Sequence, residues 1–379
     1  MIERIRLTNF KNHADTQIEL GKLTALIGPN SSGKTNVLQA LAKASQLVSN
    51  LHMEGRDSSF VRDKNIESLI RRGQQTSEIC IAGRTRIRID VAQVESLSFH
   101  VKVSSEQRGH TVDLQWDGKS EQTLVARDMT LGALSERLKQ ESGNAFYLKA
   151  IGKNLSESSY SEEISPQVKP DGTGLASAVA YFKTYEEKRF PGLLKALRSV
   201  VPSVENIRVR PAPVRIKERQ VIKVDDQVVQ HDKEREVMGH ELVFDMTGAQ
   251  ELPASSVSEG TLLALALLTL LWSPDCPNLV LLDDIEQGLH PKAQRELIAQ
   301  LRKILEQRPE LQIVLTSHSP YIVDELKADE VWLLATDEEG VAQARRLSDH
   351  PDAERALEVL TTGEFWSAEG EDWVVADGK

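Results

Sequence analysis

The amino-acid sequence predicts an α/β fold with a strand-rich inserted lobe, and three features carry that expectation. The apolar run Leu23-Thr24-Ala25-Leu26-Ile27 feeds a loop from Gly28 to Gly33, which opens a helix-periodic segment through Val37, Leu38, Leu41 and Ala42. Far along the chain a second apolar run, Leu279 to Leu282, stops at two carboxylates, Asp283 and Asp284. Between them, from about Leu51 to Met246, the pattern changes to short strands broken by charged turns.

Met1-Ile2-Glu3-Arg4-Ile5-Arg6-Leu7 alternates apolar and polar residues as a half-buried strand does. Two β-type runs, Ile2 to Leu7 and Gln17 to Ile27, precede the loop, whose sequence Gly28-Pro29-Asn30-Ser31-Ser32-Gly33-Lys34-Thr35 fits G-x-x-x-x-G-K-T. Each part has a physical task, because a polyphosphate must be held by donors that need no reorganisation. Gly28 and Gly33 let the backbone fold tightly. Backbone N–H groups from Asn30, Ser31 and Ser32 into the helix at Asn36 form an anion nest, which the helix dipole reinforces. Lys34 is expected to reach the β and γ oxygens of ATP, and the Thr35 hydroxyl to ligate Mg2+. The helix ends near Ser49. A P-loop NTPase is the class these elements predict.

In the middle region Ile79 to Val91, Ser98 to Val103 and Val112 to Gln115 read as strands. Helical spacing appears at Leu131, Leu134 and Leu138, then at Leu175, Val179 and Phe182, and again at Leu193, Leu194 and Leu197. Leu155 to Gly174, rich in Ser, Glu, Pro and Gly, reads as a long loop. Strands resume at Val204 to Val209, Val214 to Ile216, Val221 to Val224 and Leu242 to Met246. Helix and strand alternate again from Ser258. Three segments are therefore expected: 1–51 as the first part of the nucleotide lobe, 52–250 as an inserted α+β lobe, and 251–379 as its completion. There is no sustained heptad pattern and no internal repeat.

Composition narrows the function classes. The 379 residues are 40% hydrophobic and 27% charged, with a net charge of −11, which disfavours a generally basic nucleic-acid binder. Cys80 and Cys276 have no metal-type spacing and predict neither a disulfide framework nor a zinc site, in keeping with a reducing cytoplasm. The most apolar segment, Thr261 to Trp272, is too short for the ~20 residues that span a bilayer and reads as a buried helix. With no signal-peptide layout at the N-terminus, a cytoplasmic protein without membrane contact is expected.

The C-terminal third supplies what a phosphate loop lacks. Asp283, at the end of a buried strand, is expected to hold magnesium through water, and Asp284 to orient or deprotonate the attacking water. Glu286-Gln287-Gly288-Leu289-His290-Pro291 precedes a helix from Lys292 to Gln307, Pro291 suiting the first helical position. The run Gln312 to Leu315 ends in Thr316-Ser317-His318-Ser319-Pro320, placing His318 where a histidine can bond a γ-phosphate and sense its loss. Val257-Ser258-Glu259-Gly260-Thr261 offers Ser258 and Gly260 to an anion at a helix N-terminus.

In this order (P-loop, Ser-x-Gly helix, acidic strand end, Gly-Leu-His-Pro, Ser-His-Ser-Pro) the chain resembles the ABC-type ATPases of the RecF/SMC/OLD group, and more narrowly the AAA-type ATP-binding proteins of that group that lack a coiled coil. The resemblance covers about Met1 to Leu51 and Glu251 to Ala335. It implies an ABC-type ATPase head in which Lys34, Thr35, Asp283, Asp284 and His318 act in cis, while Ser258 and Gly260 of a second copy clamp the γ-phosphate. Asn9-Phe10-Lys11-Asn12 resembles the N-F-K/R segment of the group, whose basic residue, here Lys11, approaches the nucleotide. The sequence departs from the pattern twice. Val-Ser-Glu-Gly-Thr stands for Leu-Ser-Gly-Gly-Gln, which disfavours a transporter motor, and Asp284 stands where a catalytic glutamate is usual, with Glu286 in reserve. The glutamine of the group's Q-loop is open among Gln74, Gln75 and Gln167. The residues after Ser319, including Gly363-Glu364-Phe365-Trp366 and Gly370-Glu371-Asp372-Trp373, are too few for the nuclease domain of OLD-type enzymes; they read as a docking tail or as a tail packed on its own domain.

Arg84, Arg86 and Arg88 alternate on one strand, and Arg208, Arg210, Arg215, Lys217 and Arg219 on others. Such stripes are either DNA-phosphate contacts or solvated faces with acidic neighbours. The expected function is an ATP- and Mg2+-dependent dimerisation switch in DNA repair, DNA maintenance or defence against foreign DNA, with a separately encoded effector. The alternative is a nucleotide-gated scaffold that recruits a protein with little turnover and no DNA contact.

Overall fold

The computed structural model describes residues 1–49, 58–61, 68–90, 93–106, 109–116, 145–224 and 227–375. In chain order the strands are β1 (Ile2–Phe10), β2 (His13–Glu19), β3 (Leu23–Ile27), β4 (Ser58–Val61), β5 (Ser77–Asp90), β6 (Gln93–Glu106), β7 (Gly109–Trp116), β8 (Ala145–Leu148), β9 (Val204–Val224), β10 (Gln227–Met246), β11 (Ala249–Pro253), β12 (Leu279–Leu282), β13 (Gln312–Ser317), β14 (Val331–Thr336) and β15 (Ala342–Arg346). The longer helices are α1 (Lys34–Ser49), α2 (Leu175–Tyr185), α3 (Phe190–Val200), α4 (Glu259–Trp272), α5 (Pro291–Gln307) and α6 (Thr362–Glu369).

The chain divides into two units. The first holds 1–147, 277–286 and 301–379; the second holds 148–276 and 287–300. This division crosses the expected boundaries at 51 and 250, because β5 pairs with β1 and carries β6, β7 and β4 into the same sheet as the P-loop strand. That sheet has the order β4-β7-β6-β5-β1-β2-β15-β14-β3-β13-β12-β8. Its parallel heart, β14, β3, β13 and β12, reads as near-continuous apolar sequence because it is buried on both faces: Leu23–Ile27 and Leu279–Leu282 contain no exposed residue. The expected run Gln17 to Ile27 is two strands, broken at Leu20–Lys22, where Gly21 N donates to the Thr24 hydroxyl at 2.9 Å. Leu131, Leu134 and Leu138 lie outside the described residues, as do the side chains of Arg86 and Arg88.

In the second unit the separate strands expected between Val204 and Met246 form one long hairpin, β9 with β10, flanked by β11. Pro211 and Pro213 suggest breaks in the sequence, but β9 is the edge of this sheet, where a missing N–H costs no ladder bond. Helix α4 is buried from Gly260 to Leu271, as its unbroken apolar sequence requires. No described helix is long and apolar enough to cross a membrane.

The tail packs within the first unit. Phe365 and Val374 are buried, the Asp324 carboxylate accepts from the Thr361 hydroxyl at 2.6 Å and from Gly363 N at 3.0 Å, and Trp366 Nε1 donates to Glu371 at 2.9 Å.

Candidate active site

Strand register brings the site together. Ile27 stands opposite Ser317, and Leu282 opposite Leu315, so the next residues, Gly28, Asp283 and Thr316 to His318, emerge side by side at the C-terminal edge of the parallel strands. This is where open α/β sheets bind ligands. Gly28 and Gly33 have φ of 141° and 102°, and Ser31, with φ of 68°, is also left-handed. Steric room is absent as well: a Cβ on Gly28 would lie 2.1 Å from the Leu334 carbonyl oxygen, and one on Gly33 2.7 Å from His13 Nε2. Only glycine fits both positions.

The Lys34 side chain folds into the loop it follows, its ammonium donating to the carbonyls of Gly28 at 2.8 Å and Pro29 at 2.7 Å. Burial lowers its pKa, while Asp284, Asp283, Glu286 and Glu371 raise it. Asn30 and Ser31 are exposed at the loop crest, Ser32 and Gly33 are buried, and Asn36 donates to Asn12 Oδ1 at 2.7 Å. Asn12 in turn donates to the Ser31 carbonyl at 3.2 Å.

Asp283 is buried and gathers hydroxyls. Thr35 Oγ1 lies 3.0 and 3.2 Å from its two oxygens, Thr316 Oγ1 donates to Oδ1 at 2.8 Å, and Tyr147 donates to Oδ2 at 2.9 Å. Asp284 turns away from this cluster because its backbone is left-handed, with φ of 54°; its N–H donates to the Thr316 hydroxyl at 2.9 Å. The turn aims its half-exposed carboxylate toward His318, whose Nε2 is 4.0 Å from Oδ1. Glu286 Oε1 accepts the His318 backbone N–H at 2.7 Å, and its buried Oε2 has no hydrogen-bond partner among the described residues.

Lys11, also left-handed with φ of 51°, bonds the Gln39 side chain on α1, and desolvation lowers its pKa. Sequence reasoning missed four groups here: Tyr147, Thr316, Asn12 and His13, the last fully buried with Nε2 3.2 Å from the Gly33 carbonyl. Asn12 and His13 adjoin the Asn-Phe-Lys segment, which could have signalled them. Tyr147 follows residues with no motif, so nothing local marks it.

Ser258 and Gly260 lie in the second unit. Ser258 is the N-cap of α4, accepting from Thr261 N at 3.3 Å, and Gly260 packs so closely on Gly288 that a Cβ would be 2.1 Å from its carbonyl oxygen. Glu259 Oε1 accepts from Gln287 at 3.2 Å. The arginine stripe on β9 is engaged by acids: Arg208 donates to Asp245 at 2.8 Å and to Glu251 at 2.9 Å, and Arg210 pairs with Glu251 at 2.8 Å. Arg215 is exposed and stands opposite Glu236 in the ladder. Among the described residues no group of three or more His, Cys, Asp or Glu could hold a metal by itself.

A phosphate-loop lysine, a threonine and a strand-end aspartate meet at one sheet edge. A family model described as "AAA domain, putative AbiEii toxin, Type IV TA system" matches residues 135–324, half of the chain, and one described as "AAA ATPase domain" matches residues 1–84. The chain belongs to this AAA ATPase family. Its similarities to other proteins support an ABC-type ATPase of the RecF/SMC/OLD group. The chain is 34% identical over 73 residues to the Septu protein PtuA of Bacillus thuringiensis, covering 19% of this chain and 18% of that protein. It is 29% identical over 106 residues to the DNA replication and repair protein RecF of Clostridium tetani, covering 26% and 28%. It is 44% identical over 41 residues to the OLD nuclease of Thermus scotoductus, covering 11% and 8%. The matches thus span well under a third of these relatives. In fold the chain resembles the Smc head bound to the C-winged helix domain of ScpA, with a TM-score of 0.52 and 15% identity over 94% of this chain and 99% of that one.

Proposed function

We propose that the ATPase binds ATP with magnesium at the P-loop, hydrolyses it, and uses the cycle to join and release two copies acting in DNA repair, DNA maintenance or defence against foreign DNA. The observation that carries this is the Thr35–Asp283 contact at 3.0 Å, made between residues 248 positions apart. It joins a phosphate loop to an acidic strand end, which a chance glycine turn would not do.

The residues present fit both ligands. A backbone cradle with no room for Cβ atoms and a lysine among its carbonyls suits a polyphosphate. Thr35 and Asp283 are hard oxygen donors, and two such donors suffice for magnesium, which takes its remaining ligands from phosphate and water. When bound, magnesium neutralises charge on the transferring phosphoryl group. Lys34 supplies a second fixed positive charge. Asp284 orients the attacking water, His318 senses the γ-phosphate, and Glu286 fixes the His318 backbone rather than serving as base. Lys11 stands at the α1 side of the site. Ser258 and Gly260 of the partner copy, at a helix N-terminus, close the site on the γ-phosphate. DNA contact through Arg208, Arg210 and Arg215 has less support, since acids engage the first two.

The test is turnover with and without DNA, beside ATP-dependent dimerisation by light scattering. Asp284→Ala is expected to lower kcat about 100-fold or more with dimerisation intact, and Glu286→Gln to lower it less. Dimerisation without wild-type turnover would favour the scaffold that recruits a separately encoded effector. Neither dimerisation nor turnover would sink the proposal.

A further inference from the structure

We infer that Tyr147, backed by Gln39, is a positioning residue for Asp283 that sets how tightly the site holds a divalent metal beside a nucleotide; the inference rests on the reading above. Strand β8 is the sheet neighbour of β12, so Tyr147 reaches the carboxylate that β12 delivers. Three hydroxyls from three elements, Thr35 on α1, Thr316 on β13 and Tyr147 on β8, then hold one buried carboxylate. Of these, only Tyr147 lies outside the motifs that mark the site.

The bonds behind Tyr147 have a single consistent direction. Lys11 Nζ has no lone pair and must donate, so Gln39 Oε1 faces it. The Asp283 carboxylate can only accept, so it takes the phenol's one proton, and the Gln39 side chain, which also bonds the Tyr147 hydroxyl, does so as donor through its NH2 group. The phenol oxygen therefore accepts from Gln39, and its one proton is committed to Asp283 Oδ2 at 2.9 Å. A chain running from an ammonium to a carboxylate, each link polarising the next, holds the carboxylate plane before metal arrives. Groups that orient a metal ligand in this way are worth about 10- to 100-fold in metal affinity.

Mn2+ bound to the full chain with adenosine 5′-(β,γ-imido)triphosphate, read by electron paramagnetic resonance, measures metal affinity without turnover. Tyr147→Phe keeps the ring and removes only the hydroxyl. It is expected to weaken Mn2+ about tenfold or more, with nucleotide affinity in EDTA and the thermal midpoint unchanged. Gln39→Leu, a second variant that removes the donor behind the phenol together with the acceptor of Lys11, should weaken it about threefold. Mn2+ affinity of Tyr147→Phe within about twofold of wild type would overturn the inference while leaving the nucleotide reading standing. An equal loss of metal-free nucleotide affinity would overturn it too, by showing a general collapse of the site. Failure of the wild type to bind Mn2+ with nucleotide would instead sink the nucleotide reading, and this inference with it.

Discussion

Acid should weaken this protein through His13. The ring is fully buried, with Nδ1 3.0 Å from Thr16 Oγ1 and Nε2 3.2 Å from the Gly33 carbonyl, and the Thr16 hydroxyl also lies 3.1 Å from the Ala342 carbonyl. Burial, aided by the charge of Lys11 and opposed by the Gly33 carbonyl, lowers its pKa from 6.5 to about 4. In the neutral ring Nε2–H donates to the Gly33 carbonyl, while the single proton of the Thr16 hydroxyl goes to the Ala342 carbonyl. The folded state thus stays unprotonated where the unfolded chain takes a proton, so stability is fully present above the unfolded pKa and is lost as pH falls from about 6.5 toward about 4. Between pH ~7 and ~5 that linkage amounts to about 2 kcal/mol. His13→Gln keeps an amide donor for Gly33 and removes the titration. Urea unfolding followed by tryptophan fluorescence should show the advantage of wild type over this variant shrinking by about 2 kcal/mol between the two pH values. Parallel pH dependence of the two proteins, or a His13 ring resonance titrating at its ordinary value, would refute the reasoning.

Gly260→Ala would set a methyl group 2.1 Å from the Gly288 carbonyl oxygen, with backbone on both sides, and should cost about 1–3 kcal/mol by thermal or urea unfolding while moving the start of α4. Gln312 is buried and serves three backbone groups, accepting from Ile2 N at 3.1 Å and donating to the carbonyls of Ile2 at 2.7 Å and Gly21 at 2.8 Å; Gln312→Leu should therefore cost about 1–3 kcal/mol, read by the same unfolding assay. Charge reversal at Arg208 and Arg210 should lower the thermal midpoint by leaving Asp245 and Glu251 facing like charges, with no change in the salt dependence of DNA affinity. A shallower salt slope would restore these arginines as phosphate contacts.

Much of the site is local in the chain and therefore legible in it. Gly28 to Thr35 is a strand-turn-helix whose backbone conformation needs glycine at two positions, and Leu279 to Asp283 is an apolar strand ending in a ligand; both requirements are met within a few residues. The helix α4 announces its burial by composition alone, and Ser258 its cap by chemistry. The insertion was harder to read. Prolines at 211 and 213 suggest breaks that an edge strand does not need to make, and nothing in the spacing of Ser77 to Asp90 tells that this strand adds to β1.

What the sequence determined by itself is the phosphate loop, the acidic strand end and their order, because each follows from bonding between near neighbours. Tertiary structure decided which of the spare polar residues join them. Tyr147 reaches Asp283 across 136 positions and Thr316 across 33, while Gln312 serves Ile2 across 310. Those pairings depend on strand order and register, which arise only when the whole sheet assembles. The physical reason is that a buried carboxylate must find hydroxyl or N–H partners wherever the fold provides them, and sequence distance has no part in that requirement.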